Sequence, residues 1–159
     1  MANSISQVRA ALASQIQEKT GLKTFSEQPD QINPPCGAIL PGSPYAKYGI
    51  TLGEPTMNAP IGNQIPVACD LNLVVAVYTA RSPSLQRAQQ AVDSYLGFFP
   101  NSNQVSIPMA ILADPTLGGI VEYAEPMLVQ AYGEINIAGQ DYFQGRITVA
   151  VSVTQDLGV

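Results

Sequence analysis

An alternating segment at residues 65–80 is the feature that most constrains how this chain can fold. Its sequence, IPVACDLNLVVAVYTA, puts an apolar side chain at every second position, which is the pattern of a β-strand with one face against a core. Asp70, Asn72 and Tyr78 are predicted to point to the other face. The predicted core-facing set is Ile65, Val67, Cys69, Leu71, Leu73, Val75 and Val77.

Three helices are predicted from apolar periodicity and capping signals. Residues 4–20 carry one apolar stripe, and either Asn3 or Ser4 can cap its start. The segment RSPSLQRAQQAVDSYLGFF is predicted to be a second helix, with Ser82 as its N-cap. A short third helix is predicted in SIPMAILAD, capped by Ser106.

The stretch ADPTLGG follows the third helix and is predicted to be a helix stop and a tight turn. Asp114–Pro115 disfavours further helix, and Gly118–Gly119 allows unusual backbone angles before a strand that starts at Ile120. Pro126 in the following strand indicates a bulge or an edge position. A last strand is predicted in the alternating segment RITVAVSVT.

This order of elements predicts a single α+β domain over residues 1–159. Two short strands, in LKTFSEQP and CGAIL, precede the long one. Helices packed on one face of a mostly antiparallel or mixed sheet fit such an order. Residues 41–64, PGSPYAKYGITLGEPTMNAPIGNQ, are rich in Gly and Pro and are predicted to form an extended loop, which we call the 41–64 arm.

The residues offer no convincing catalytic, metal or cofactor site. Histidine is absent, which excludes Ser-His-Asp and Cys-His catalysis and His-containing zinc sites. There is no phosphate-binding Gly-rich loop with its lysine. Glu122 and Glu125 are expected to point to opposite faces of a strand, which argues against a paired-carboxylate hydrolase. We therefore expect no enzyme activity, no metal and no cofactor.

The charge is acidic and unevenly distributed. The net charge is −5, and residues 88–145 contain no Lys or Arg. A nucleic-acid binder would show a basic patch, so specific binding to DNA is not expected. An ordinary solvated acidic surface explains the pattern equally well. The acids of this span are Asp93, Asp114, Glu122, Glu125, Glu134 and Asp141.

The start of the chain, MANSISQVRAALASQ, shows no secretory signal, and no apolar run is long enough to cross a bilayer. We expect a protein made and kept in a cytoplasm-like compartment, without a membrane partner. Cys36 and Cys69 are then expected to be reduced and buried, and a cross-strand disulfide is the alternative.

Several segments, in order and spacing, resemble the small tail terminator proteins of long-tailed bacteriophages (siphoviruses), especially those that infect actinobacteria. The matching pieces are TGLKTF, PDQINPPCGAILPG, DLNLVVAVYTARSPSLQRAQQAVDSYL, SIPMAILADPTLGGIVEYAE and GEINIAGQDYFQGRITVAVSVTQ. Together they cover most of residues 5–155, and ADPTLGG is the most telling of them.

The resemblance implies a structural virion protein at the tail–neck junction, assembled in the host cytoplasm. Family members form a hexameric ring that caps the finished tail tube, stops its polymerisation and presents a surface to the head–tail connector (stopper) protein. Genomic DNA passes through the lumen without specific binding. The implied partners are further copies of the chain, the major tail tube protein and the connector. The implied fold, helices packed on a sheet, agrees with the α+β prediction.

Two sets of residues are predicted to serve this role. Four acids, Glu122, Glu125, Glu134 and Asp141, are expected to line the lumen or to face a basic partner. Contacts with neighbouring subunits or the tube are expected in the 41–64 arm, at Tyr45, Tyr48, Ile50, Leu52 and Met57. Two other functions stay open: another neck component, such as a head or tail completion protein, and a small-molecule-binding α+β domain.

Overall fold

The computed structural model describes residues 4–41, 50–55, 64–81, 83–97 and 105–158. Within them, three helices pack on a six-stranded mixed sheet, so the α+β prediction is confirmed. The helices are α1 (Ile5–Thr20), α2 (Leu85–Leu96) and α3 (Ile107–Ala113). The strands are β1 (Thr24–Phe25), β2 (Cys36–Pro41), β3 (Ile50–Pro55), β4 (Gln64–Ala80), β5 (Tyr123–Ile137) and β6 (Gln140–Gly158).

The sheet is built around the long antiparallel pair of β4 and β6. Their register runs without interruption from Gln64 opposite Gly158 to Ala80 opposite Tyr142. The strand order is β1-β2-β4-β6-β5, and β3 pairs with β4 beside β2. Among the described strands, β1 and β2 form a parallel pair and the other pairs are antiparallel. Strand β5 therefore lies at one edge of the described sheet.

The two faces of the sheet carry different cores. The main core joins the helices to the side of β4 that includes Leu71 and Val75, as the alternation predicts. We call this side the helix face. A smaller cluster of Cys36, Ala38, Ala76 and Tyr78 lies on the other side, which we call the opposite face. Burying these apolar side chains is the main favourable contribution to folding.

The helix ends follow from local capping, with one correction. Ser4 and Ser106 cap α1 and α3 as predicted, each through a side-chain oxygen that accepts a backbone N–H of the first turn. The prediction that Ser82 caps the second helix is wrong. Ser84 holds that position, because its hydroxyl accepts the N–H of Arg87, and α2 begins at the next residue.

Strand β5 begins three residues later than the sequence predicts. It starts at Tyr123 and not at Ile120, because the N–H of Val121 is still bonded within the preceding turn, to the carbonyl of Thr116. The sheet pairing of Pro126 and the residues after it shifts by one position, so this proline marks both a bulge and an edge strand.

Part of the 41–64 arm belongs to the sheet. Residues 50–55 form β3, which pairs antiparallel with β4, so this part is a strand and not a loop. Pro41 ends β2 and Gln64 begins β4. The remainder of the arm, residues 42–49 and 56–63, lies outside the described residues.

The alternative of a disulfide within the chain is wrong. Cys36 lies opposite Tyr78 in the register of β2 and β4, and Cys69 is nine residues further along β4. At about 3.4 Å per residue the two Cα atoms are roughly 30 Å apart, far beyond the ~7 Å limit for a disulfide. Cys36 is a free, fully buried thiol, and burial raises its pKa.

No helix among the described residues has both the length and the hydropathy needed to span a membrane.

Candidate assembly surfaces

The ADPTLGG stretch forms a turn that the Asp114 carboxylate organises. One carboxylate oxygen accepts the N–H and the hydroxyl of Thr116 at 3.1 and 2.6 Å, and the other accepts the N–H of Gly118 at 2.9 Å. These bonds, the Thr116 hydroxyl first, lower the pKa of Asp114. Leu117, Gly118 and Gly119 take φ values of +51°, +73° and +85°, so the two glycines are needed for their backbone freedom.

Gln15 of α1 fixes the end of α3 to this turn. Its side-chain amide nitrogen donates to the carbonyls of Ala110 at 2.7 Å and Asp114 at 2.9 Å, and it lies 3.4 Å from the Ile111 carbonyl. Only 9% of Gln15 is exposed. A helix end leaves such carbonyls without intrahelical partners, and here a neighbouring helix supplies the donor. ADPTLGG is thus a structural motif that joins α1, α3 and β5.

The predicted contact residues of the 41–64 arm are only partly described. Tyr45, Tyr48 and Met57 lie outside the described residues. Ile50 and Leu52 lie in β3, opposite Leu71 and Cys69 of β4. The backbone of this part of the arm is therefore held by the sheet.

Glu122 and Glu125 lie on the opposite face of the sheet, so the prediction that they point to different faces is wrong. Glu122 precedes β5, and its carboxylate accepts a hydrogen bond from the hydroxyl of Thr154. Val153 points into the main core, so the adjacent Thr154, and Glu122 with it, lies on the opposite face. Glu125 pairs with Ala150 of β6. The neighbours of Ala150, Val149 and Val151, point into the main core, so Ala150 and Glu125 point to the opposite face. The alternation rule fails for Glu122 because that residue is not in the strand.

A third acid accompanies this pair. The Asp70 carboxylate of β4 accepts the hydroxyl of Ser152 at 3.1 Å, and Asp70 is exposed. We call Asp70, Glu122 and Glu125 the acidic face. These three acids could not be recognised as a group from the sequence, because Asp70 is more than fifty residues from the other two and only the register of the sheet brings them to one side.

Glu134 and Asp141 lie elsewhere, so the four predicted acids do not form one surface. Glu134 is paired with Phe143, a side chain of the main core, and is therefore on the helix-face side of the hairpin. Its carboxylate accepts the Arg81 side-chain nitrogen at 3.1 Å. Asp141 is eleven residues from Ser152 along β6, roughly 37 Å at 3.4 Å per residue. Its carboxylate accepts the Asn136 amide at 2.9 Å.

Among the described residues, large apolar side chains are exposed on α3 and on β5, and Leu85 of α2 and Val105 are also exposed, at 38% and 36%. On α3, Met109 is 54% and Leu112 is 52% exposed. On the edge strand β5, Tyr123, Met127 and Tyr132 are 45%, 60% and 43% exposed. The Tyr132 hydroxyl donates to the Asp93 carboxylate of α2 at 2.5 Å, so this tyrosine also ties the edge strand to a helix.

A shallow groove lies between α1 and the region of β1. It has a volume of about 400 Å³ and is lined by Ala10, Ala13, Ser14, Gln17, Glu18, Thr24 and Ser26. We call it the α1 groove. In the described part of the chain, no three Cys, Asp or Glu residues are grouped so that they could hold a metal ion.

A scan against protein-family models matched no family, and a search of curated proteins found no similar sequence.

Proposed function

We propose that this chain is the subunit of a ring, a homohexamer, that caps the completed tail tube of a siphovirus at the tail–neck junction of the virion. In this role it stops tube polymerisation, joins the tube to the head–tail connector and lets DNA pass through its lumen. The proposal is supported by the order and spacing of the segments that resemble tail terminators, and by the α+β architecture that this resemblance implies.

The observation that carries the proposal furthest is the acidic face. Asp70, Glu122 and Glu125 share one side of the sheet with short polar side chains such as Ser152 and Thr154. A surface of this kind repels phosphate. Arg146 is on the same side of the sheet, because it pairs with Ala76, but it is six residues from Ser152 along β6, roughly 20 Å at 3.4 Å per residue. Repeated in every copy around a ring, the acidic face would form a negative wall past which DNA slides without sticking.

This assignment revises the predicted set of lumen acids. Glu122 and Glu125 remain candidates for the lumen wall, and Asp70 joins them. Glu134 and Asp141 are removed from that wall, because they lie on the other side of the hairpin and Glu134 is already paired with Arg81. Contacts of Tyr45, Tyr48, Ile50, Leu52 and Met57 with neighbouring copies or the tube remain part of the proposal.

The direct test is the mass of the purified protein, alone and mixed with its tail tube protein. We expect a ring-sized oligomer that binds tube ends, with particles lacking the protein carrying tails of abnormal length. Electron microscopy of labelled particles should place it where tube and connector meet. A position elsewhere along the neck would assign it to another neck component, and a monomer that ignores the tube would refute the proposal.

The lumen assignment has its own test with a matched control. Glu122→Lys/Glu125→Lys and Glu134→Lys/Asp141→Lys change the charge by the same amount, on opposite sides of the hairpin. If the first pair faces DNA, its particles should assemble but eject DNA more slowly than wild type and than the second pair. If both variants eject DNA at the same rate, Glu122 and Glu125 are ordinary solvated charges and do not line the lumen.

A further inference from the structure

We infer that the ADPTLGG turn, Pro126 and two bulges together keep another strand from adding to the free edge of β5. We call this arrangement the edge guard. It is a property of the fold of one chain, whatever larger assembly the chain forms.

The middle of β5 has the composition of a segment that adds strands readily. Residues 126–133, PMLVQAYG, contain no charged side chain. Met127 and Tyr132 are largely exposed there, and no described strand lies beyond β5. An edge strand presents unpaired backbone N–H and C=O groups, and an apolar, uncharged edge is a template for pairing with another chain. This edge therefore needs protection if the chain is to stay soluble.

Charged side chains do not supply that protection in the middle of the strand. Lysine is the residue that most often protects an edge, and residues 88–145 contain neither Lys nor Arg. The two charged residues of β5, Glu125 and Glu134, lie on either side of the uncharged segment. Protection of the segment between them has to come from the backbone.

The ADPTLGG turn blocks the first part of the edge. The N–H of Ala124 donates to the carbonyl of Pro115 at 2.7 Å and not to β6. Alternate residues of an edge strand direct their backbone groups away from the sheet, so Ala124 belongs to the outward-facing set. The turn thus occupies a donor that an incoming strand would use. The Asp114 carboxylate holds this turn in place through the N–H groups of Thr116 and Gly118.

Pro126 removes the next outward donor. Ala124 and Pro126 lie opposite Val151 and Val149 in one uninterrupted register, so both belong to the outward-facing set. Proline has no backbone N–H to donate to another strand. Two successive outward positions therefore offer no free donor, one because it is already bonded and one because it does not exist.

Two bulges bracket the uncharged segment. The pairing with β6 shifts between Pro126 and Leu128 and again between Gln130 and Gly133. Ala131, within the second shift, has a φ of +53°, which is uncommon for a residue with a side chain. Bulges bend and twist a strand, so this part of β5 does not present the straight row of backbone groups that a new strand pairs with.

The test opens the edge and follows the size of the purified full chain by light scattering. Asp114→Ala/Pro126→Val, the open variant, loosens the turn and restores an outward N–H at position 126. Asp30→Ala/Pro29→Val makes the same replacements between β1 and β2 and is the matched control. We expect wild type and the control to keep a constant size. The open variant should grow without limit and show severalfold higher thioflavin T fluorescence.

A charge on the open edge separates strand addition from unfolding. Met127→Lys, added to the open variant, places a cation on the exposed edge and should stop the growth, while stability in urea stays that of the open variant. Because the chain is acidic, this change brings the net charge closer to zero, so greater overall repulsion cannot explain a rescue. If growth continues unchanged, the association comes from unfolding and the inference is wrong.

Hydrogen exchange tests the blocking bond in the wild-type chain. The Ala124 amide should exchange slowly in wild type and in the control, and faster in Asp114→Ala. Exchange in wild type at the rate of an unstructured peptide would show that the turn does not block this donor. An open variant that keeps the size of wild type would refute the edge guard and leave the proposed ring untouched, since the ring does not depend on it.

Discussion

Replacing Gln15 should reveal how strongly one buried amide holds α3 in place. The amide nitrogen makes two short hydrogen bonds, to the carbonyls of Ala110 and Asp114, and only 9% of the residue is exposed. Leaving the buried Ala110 carbonyl without a partner costs about 1–3 kcal/mol, and losing the bond to the partly buried Asp114 carbonyl costs about 0.5–1.5 kcal/mol. For Gln15→Ala we therefore expect the free energy of unfolding to fall by about 2–4 kcal/mol.

The assay is urea unfolding at neutral pH, followed by circular dichroism, with two companion variants. Gln15→Glu keeps the size of the side chain but places a carboxylate against carbonyl oxygens at a helix C-terminus, so it should destabilise at least as much as alanine. Gln90→Ala, at an exposed position on α2, should change stability by no more than about 0.5 kcal/mol. A loss below about 1 kcal/mol for Gln15→Ala would refute the reasoning.

Three further predictions concern packing, pH and the thiols. In Gly145→Ala, the new Cβ would lie 2.7 Å from a methyl of the buried Leu96, so we expect a loss of about 1–3 kcal/mol in the same urea assay. Because the pKa of Asp114 is lowered in the folded state, its stabilising effect is complete above the ordinary aspartate pKa of about 3.9 and is lost as the pH falls through the folded value. In Asp114→Asn, the melting temperature should therefore fall less steeply than that of wild type as the pH drops below about 4. An unchanged slope of melting temperature against pH would contradict this. When the chain is denatured without reductant, an alkylating reagent should react with both Cys36 and Cys69. Two unreactive cysteines would indicate a disulfide within the chain and would contradict the register of β2 and β4.

Helix caps, turns and the faces of strands could be predicted from the sequence, because capping and periodicity depend on residues only a few positions apart. The alternation at residues 65–80 identified the core side of β4, because successive side chains of any strand point to opposite faces. Ser106 and the ADPTLGG turn were identified for the same reason, since their hydrogen bonds join residues two to four apart. Ser82 was wrongly chosen because two serines, 82 and 84, flank Pro83 and only the backbone decides which one caps α2.

The attachment and orientation of α3 depend on contacts between distant residues, and these could not be predicted. Gln15 has no sequence signal that distinguishes it from the other glutamines of α1, and its partners are 95 to 99 residues away. The exposure of Met109 and Leu112 is decided by how α3 is turned against the rest of the core.

By itself, the sequence determined an acidic α+β chain without histidine and with a base-free span at residues 88–145. The tertiary structure decided how the acids of that span are divided. It placed Glu122 and Glu125 on the same side of the sheet as Asp70, and it placed Glu134 beside Arg81. The physical reason is that an acid's neighbours depend on where β5 begins, on the two bulges that shift its register, and on which strand lies beside it. Long-range pairing fixes all three, and a charge count along the chain carries no information about them.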